Sequence, residues 1–196
     1  MEQRRPSLVL CSYSFTMRII SGTFKGRNIE VPKNFDGRPT TDFARESLFN
    51  ILSHQLDMEG ATVLDLFAGT GAVSLECLSR GAQSVQAVEL SPVHVKFIQK
   101  NFDVFSFDNG DIIRGDVFKF LVKPLGSFDM VFADPPYDVV GLMKLPSLVL
   151  DNGWVKAGGL FVLEHPDKMD FSDHPCFSQH RRYGSVNFTF FKVPEE

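Results

Sequence analysis

Cysteine is scarce in this chain and never paired. Cys11, Cys77 and Cys176 are its only three, far apart and with no CxxC spacing. That argues against a disulfide framework or a thiolate zinc site, and it suits a reducing cytoplasm, the expected location. The five histidines show neither HxxxH nor HExxH spacing, so no metal is expected. No apolar run approaches the roughly 20 residues that span a bilayer, so no membrane partner is expected either. Internal repeats and low-complexity segments are absent. The opening stretch MEQRRPSLVLCSYSFT imitates a signal peptide, but its apolar run is broken and lacks a small-residue cleavage site. Residues 1–16 are therefore expected to be a disordered leader, with Met17 opening the folded chain.

What is present fits one sizeable soluble domain. The 196 residues are 43% hydrophobic and 22% charged, which is ordinary for a globular protein with its own core. The net charge of −4 is unevenly spread. Residues 1–45 are net basic and the rest is net acidic, so a basic arm on an acidic body could meet a polyanion locally. Arg18, Lys25 and Arg27 lead that arm.

From Met17, MRIISGTFKGRNIEVP reads as two short strands around a glycine-rich turn, a β-hairpin. RPTTDFARESLFNILS follows as a helix capped by Thr41 or Asp42, with its apolar positions on one face. Residues 17–58 form this extension, and 59–196 form the main domain. There the spacing predicts strands at 62–68, 84–90, 111–116, 128–134 and 159–165. Helices are expected near 72–80, 92–104, 117–123 and 140–151. Such alternation implies a doubly wound, mostly parallel α/β sheet covered on both faces. SQHRRY and VNFTFFKV, joined at Gly184, would close it with an antiparallel hairpin.

In such a sheet ligands bind outside the carboxyl ends of the strands. DLFAGTGAVSLE runs from the first of these strands into a helix through Gly69 and Gly71, which let a ligand approach the backbone. Phe67, Ala68 and Thr70 complete that loop. Glu89 ends the second strand, next to Leu90, where an acid can accept both ribose hydroxyls. Asp116, followed by Val117, ends the third and can accept from an adenine amine. Ser74 stands where a dinucleotide motif has its third glycine. Asp65 at the mouth of the loop would repel a pyrophosphate but suits an ammonium and a sulfonium. S-adenosyl-L-methionine (SAM) is therefore the expected cofactor, rather than NAD.

The fourth strand ends in Asp134, Pro135, Pro136 and Tyr137. An exocyclic amine on a base is a poor nucleophile because its lone pair is delocalised into the ring. The Asp134 carboxylate and the Pro135 carbonyl, held rigid by the paired prolines, are two acceptors for its N–H bonds. Preorganised acceptors of this kind lower a barrier without reorganising during reaction. Tyr137 can stack on the extruded base. Asp134 also borders the cofactor loop.

Together, MRIISGTFKGR, RPTTDFARESLFNIL, VLDLFAGTGAVSLE, AVELSP, FADPPY and RRYG closely resemble the bacterial 16S ribosomal RNA guanine-N2 methyltransferases of the RsmD type. The resemblance covers about residues 17–193 and implies a Rossmann-like SAM-dependent methyltransferase fold. It further implies methylation of one guanine, a 966-type site, in 16S rRNA of the assembling small ribosomal subunit, by a monomer. It also implies that Arg38, Thr40, Thr41, Asp42 and Arg45 line the active-site rim. Where this family usually has a basic residue, the chain has Phe43. Two other readings share the pattern: an N6-adenine methyltransferase, for which no target-recognition insert is visible, and a catalytically silent RNA-binding assembly factor.

Overall fold

The computed structural model describes residues 13–32 and 42–195. Two strands, β1 (Tyr13–Arg18) and β2 (Asn28–Pro32), pair antiparallel as the expected hairpin. Helix α1 (Asp42–Leu52) follows. A seven-stranded sheet is built from β3 (Thr62–Leu66), β4 (Ser84–Glu89), β5 (Gly110–Arg114), β6 (Phe128–Ala133), β7 (Val155–His165), β8 (Phe177–Tyr183) and β9 (Val186–Lys192). Their order is β5-β4-β3-β6-β7-β9-β8. The first five in that order are parallel, and β9 and β8 run antiparallel at one edge. The crossovers are α2 (Ala72–Ser79), α3 (Pro92–Val104), the short α4 (Val117–Phe120), and a 3₁₀ turn Leu142–Lys144 leading into α5 (Leu145–Leu150). The chain winds outward from β3 to β5 and then crosses to β6 on the other side of β3. A crevice opens between the carboxyl ends of β3 and β6, where such sheets bind their ligands.

Strand alternation sorts the core into two layers. Val63, Val85, Met130, Phe132, Leu160, Val162 and Phe188 lie in one layer, with residues of α1, α2, α3 and the hairpin. Leu64, Leu66, Val131, Ala133, Phe161 and Leu163 lie in the other, around the fully buried Trp154. Period-two counting puts Asp65, Glu89, Asp134 and Glu164 on the first face, at the ends of β3, β4, β6 and β7.

The hairpin is tied down by one acid. Glu76 of α2, 1% exposed, accepts from the Ile20 and Ser21 amides at 2.7 and 3.0 Å and from Arg80 Nε at 2.7 Å. Gly22 must be glycine, because a Cβ there would lie 1.7 Å from the Ser79 carbonyl oxygen. Ser79 ends α2, so the hairpin tip packs at the amino edge of the sheet, opposite the crevice.

Two boundaries differ from the sequence reading. β1 begins at Tyr13, with Phe15 opposite Val31 and Thr16 opposite Glu30, so a leader ending at residue 16 cuts through a strand. Residues 1–12 lie outside those described. β7 begins at Val155 rather than 159, because the ladder with β6 absorbs an irregularity between Phe128 and Met130 and continues.

Candidate active site

β3 leads into the glycine loop through Phe67, a non-glycine residue at φ 59°, and then Gly69 (φ 54°) and Gly71 (φ 70°). A non-glycine residue at positive φ is strained and needs surrounding structure to hold it. Here the Ala68 amide donates to the Val88 carbonyl at 3.1 Å and the Gly71 amide to the Ala68 carbonyl at 2.7 Å. A Cβ on Gly71 would come within 2.9 Å of Ile98 Cγ1, so α3 packs too closely for a side chain.

Four acids stand along the carboxyl edge on one face, and each is held differently. Asp65 is 1% exposed. Its Oδ2 accepts from the Ser74 hydroxyl at 2.5 Å and the Ser74 amide at 3.1 Å. Ser74 is thus the partner of Asp65, not merely a missing glycine. Burial pushes the Asp65 carboxyl up to about 7 against those hydrogen bonds, with Asp134 and Glu89 adding repulsion. Glu89 Oε2 accepts from the Gly69 amide at 2.9 Å and Oε1 from the Ser91 amide at 2.8 Å, with His94 Nδ1 3.6 Å away. Burial opposes its charge, but the hydrogen bonds from His94, Ser91 and Gly69 outweigh it and hold the carboxyl below its usual range.

Asp134 is half-buried and Pro135 buried, whereas Pro136 and Tyr137 are exposed. The Asp134 amide donates to the Leu66 carbonyl at 3.4 Å, which ties the turn to the end of β3. The Tyr137 hydroxyl donates to Glu164 Oε1 at 3.1 Å. Glu164 is absent from the sequence-derived site. It is 5% exposed, and its Oε2 is enclosed without a hydrogen-bond partner. The signal was present as an acid closing the apolar run GLFVLEH, the same pattern that marked Asp65, Glu89 and Asp134.

The remaining expected residues fall into three groups. Asp116 lies at the third strand end, where its Oδ1 caps α4 by accepting from the Lys119 amide at 3.1 Å. Val117 is buried in the core, and Leu90 is 64% exposed. Arg38, Thr40 and Thr41 lie outside the described residues. Asp42 opens α1 and pairs with Arg45 Nη2 at 2.6 Å. Arg45 is a correction: it is 2% exposed and also donates to the Arg18 carbonyl at 2.6 Å, so it fastens α1 to β1 instead of facing solvent at a rim. Lys25 and Arg27 are exposed on the hairpin beside its packed tip, away from the Asp134 turn, because that tip is bound to the far end of α2. Sequence reasoning passed over the β8–β9 turn as a docking surface. It reaches the carboxyl edge, since Asn187 pairs with both His165 and Arg182. It brings the exposed Arg181 and Arg182 there, with Tyr183 edge-on to the exposed Phe43 at 6.4 Å.

A glycine loop with acids beside it, and no basic side chain among its hydrogen-bond partners, suits a cationic, hydroxyl-bearing ligand better than a pyrophosphate. Residues 17–192 match the family model described as conserved hypothetical protein 95. Ribosomal RNA small subunit methyltransferase D of Escherichia coli K12 is 35% identical over 153 residues, 78% of this chain and 76% of that protein. The protein of the same name from Haemophilus influenzae is 34% identical, covering 76% and 78%. The chain belongs to the ribosomal RNA small subunit methyltransferase D family. A solved Escherichia coli structure described as a methyltransferase superposes on this family member with a TM-score of 0.82 at 30% identity, covering 93% of this chain and all of that one. An RNA methyltransferase from Salinibacter ruber, solved with S-adenosyl-L-homocysteine, shares the fold at TM-score 0.62 and 17% identity, over 81% and 95% of the two chains. The fold is the Rossmann-like fold of SAM-dependent methyltransferases.

Proposed function

We propose that this protein transfers the methyl group of SAM to the exocyclic N2 of one guanine in 16S rRNA, acting as a cytoplasmic monomer on the assembling small ribosomal subunit. One observation carries the reading. The Asp134–Tyr137 turn hangs from the end of β6 by the Leu66 carbonyl, across the crevice from the glycine loop. Bound SAM supplies an electrophilic methyl group on a sulfonium centre.

The residues fit that group. Glu89 uses one lone pair of each oxygen on the loop amides and keeps others for ribose hydroxyls. Asp65 supplies negative potential beneath the loop, and the positive-φ glycines leave room for the ligand against the backbone. Asp134 and the Pro135 carbonyl accept from the amine of the target base and turn its lone pair towards the methyl donor. Tyr137 offers a stacking face, steadied through its hydroxyl by Glu164. Arg181, Arg182 and Phe43 give RNA a cationic and aromatic approach on the same edge.

The test uses small subunits from a strain lacking this protein, incubated with purified protein and SAM, then digested to nucleosides. One N2-methylguanosine per subunit is expected. N6-methyladenosine would assign the enzyme to adenine, and no methyl gain would favour the silent assembly factor.

A further inference from the structure

We propose that Glu164 is a positioning residue of the transfer site: it keeps its proton, holds the Tyr137 ring by the phenol, and leaves the charge of the pair on Asp134. The proposal rests on the methyl-transfer reading, and it assigns a role to a side chain that the sequence motifs do not include.

The geometry begins with register. Ala133 stands opposite Leu163 on parallel strands, so the next step brings Asp134 beside Glu164. Both point to the face that holds Met130, Phe132, Leu160 and Val162. Two carboxyls set side by side in a poorly solvated place cannot both ionise cheaply. Asp134 is half-buried, whereas Glu164 is 5% exposed. Only one oxygen of Glu164 is served, by the Tyr137 hydroxyl, and Oε2 is enclosed without a partner. An ionised carboxylate with an enclosed, unpartnered oxygen is costly, so the proton belongs there.

The surroundings supply no cation to reverse this. β6 contributes Asp134, the turn after it contributes Tyr137, and β9 opposes Glu164 with the apolar Phe188. Arg45 of α1, on the same face, is committed to Asp42 and the Arg18 carbonyl. Burial first and the Asp134 charge second push Glu164 up to about 8, against the Tyr137 hydrogen bond. The Tyr137 phenol is pushed up as well, by burial and then by Glu164, so it remains a donor. Neutral Glu164 therefore does two things. It orients the ring that faces the base, and it spares Asp134 a neighbouring negative charge.

The experiment compares the parent, Glu164→Gln and Glu164→Ala. Single-turnover methyl transfer to undermethylated small subunits is measured from pH 6 to 10 with SAM saturating. Gln is neutral and isosteric with the protonated acid, so its rate at pH 7 should stay within about threefold of the parent. Above pH 8 the parent should decline relative to Gln. Ala should lose about tenfold or more at every pH, because the ring loses its anchor. A Gln variant as impaired as Ala at pH 7 would mean that an ionised Glu164 is required. Superimposable pH profiles for parent and Gln would mean that Glu164 holds no titrating proton. Either result overturns the proposal.

A substrate-independent measurement separates it from the reading beneath it. A carboxyl raised from 4.5 to about 8 contributes stability below its unfolded value, which is lost as pH rises through the folded one. The parent's melting temperature should therefore fall more steeply than that of Gln between about pH 4.5 and 8. Equal slopes overturn the role of Glu164 whatever the activity. Absence of transfer by the parent, with unequal slopes, overturns only the methyl-transfer reading.

Discussion

Glu89 and Glu164 end two strands of one sheet, on one face, and both are more than nine-tenths buried. They nevertheless stand on opposite sides of the ordinary glutamate range. Burial works against the charge of each. Glu89 meets two backbone amides and His94, and its carboxyl is held low. Glu164 meets one phenol and a neighbouring acid, and its carboxyl is raised. The donors that reach a buried acid, rather than its depth, decide whether it carries charge. Asp65 illustrates the middle of this scale: full burial outweighs two bonds from Ser74. Along the carboxyl edge the sheet thus separates an anionic, sugar-facing end from a partly protonated, base-facing end.

The largest effect should come from the acid that this separation leaves charged beside the base. Asp134→Ala should slow single-turnover methyl transfer by about 10²–10⁴-fold, roughly 3–5 kcal/mol, with SAM affinity little changed. Asp134→Asn should be milder, because an amide oxygen still accepts, whereas a general base would lose nearly everything. Parental transfer rates in the Ala variant would reduce Asp134–Tyr137 to a rigid turn.

Next in size is the other end of the comparison. Glu89→Ala removes a charged acceptor and leaves the Gly69 and Ser91 amides without it. SAM binding by calorimetry should weaken by about 1–3 kcal/mol. Undiminished affinity would remove Glu89 from the cofactor site.

Asp65 sharpens the middle case through stability. Its folded value of about 7 exceeds its unfolded value of 3.8, so the folded protein binds the extra proton between them. Stability from this group is present below about pH 4 and lost as pH rises through 7. In the ligand-free protein, Asp65→Asn should flatten the fall in melting temperature over that window. An unchanged slope would show that Asp65 is ionised throughout.

The smallest effect concerns docking. Replacing Arg181 and Arg182 with Ala should reduce the salt dependence of subunit binding by about one unit of slope, roughly 0.7–0.9 per phosphate contact. Replacing Lys25 and Arg27, beside the hairpin tip, should change it less. The reverse ranking would show that RNA reaches around to the amino edge.

Much of this arrangement was legible in the sequence because it follows local periodicity. The strands of the sheet and the helices α2 and α3 follow from period two and period 3.6, and the acids at strand ends stand out against apolar runs. Boundaries slipped where glycine or polarity masked a strand. LysAlaGlyGly in β7 reads as a turn, yet the ladder passes through Gly158 at φ 71° and continues. SerTyrSerPheThr before Met17 alternates as a strand does, but the expected leader obscured it. What the sequence does not reveal is tertiary. The hairpin tip rests on Glu76 and Ser79, more than fifty positions away, and no local pattern tells Lys25 or Arg27 which edge of the sheet it will face. Arg45 reads as an exposed base until its bond to the Arg18 carbonyl buries it. Glu164 gains its meaning only when β6 and β7 bring it beside Asp134.

Carbon-13 NMR of the glutamate side-chain carboxyls tests the division of charge most directly, with Glu89 and Glu164 assigned by substitution to Gln. Across pH 5 to 9 the Glu89 signal should stay at its ionised position, and the Glu164 signal should titrate with a midpoint near 8. A Glu164 carboxyl already ionised at pH 5, like Glu89, would contradict the account.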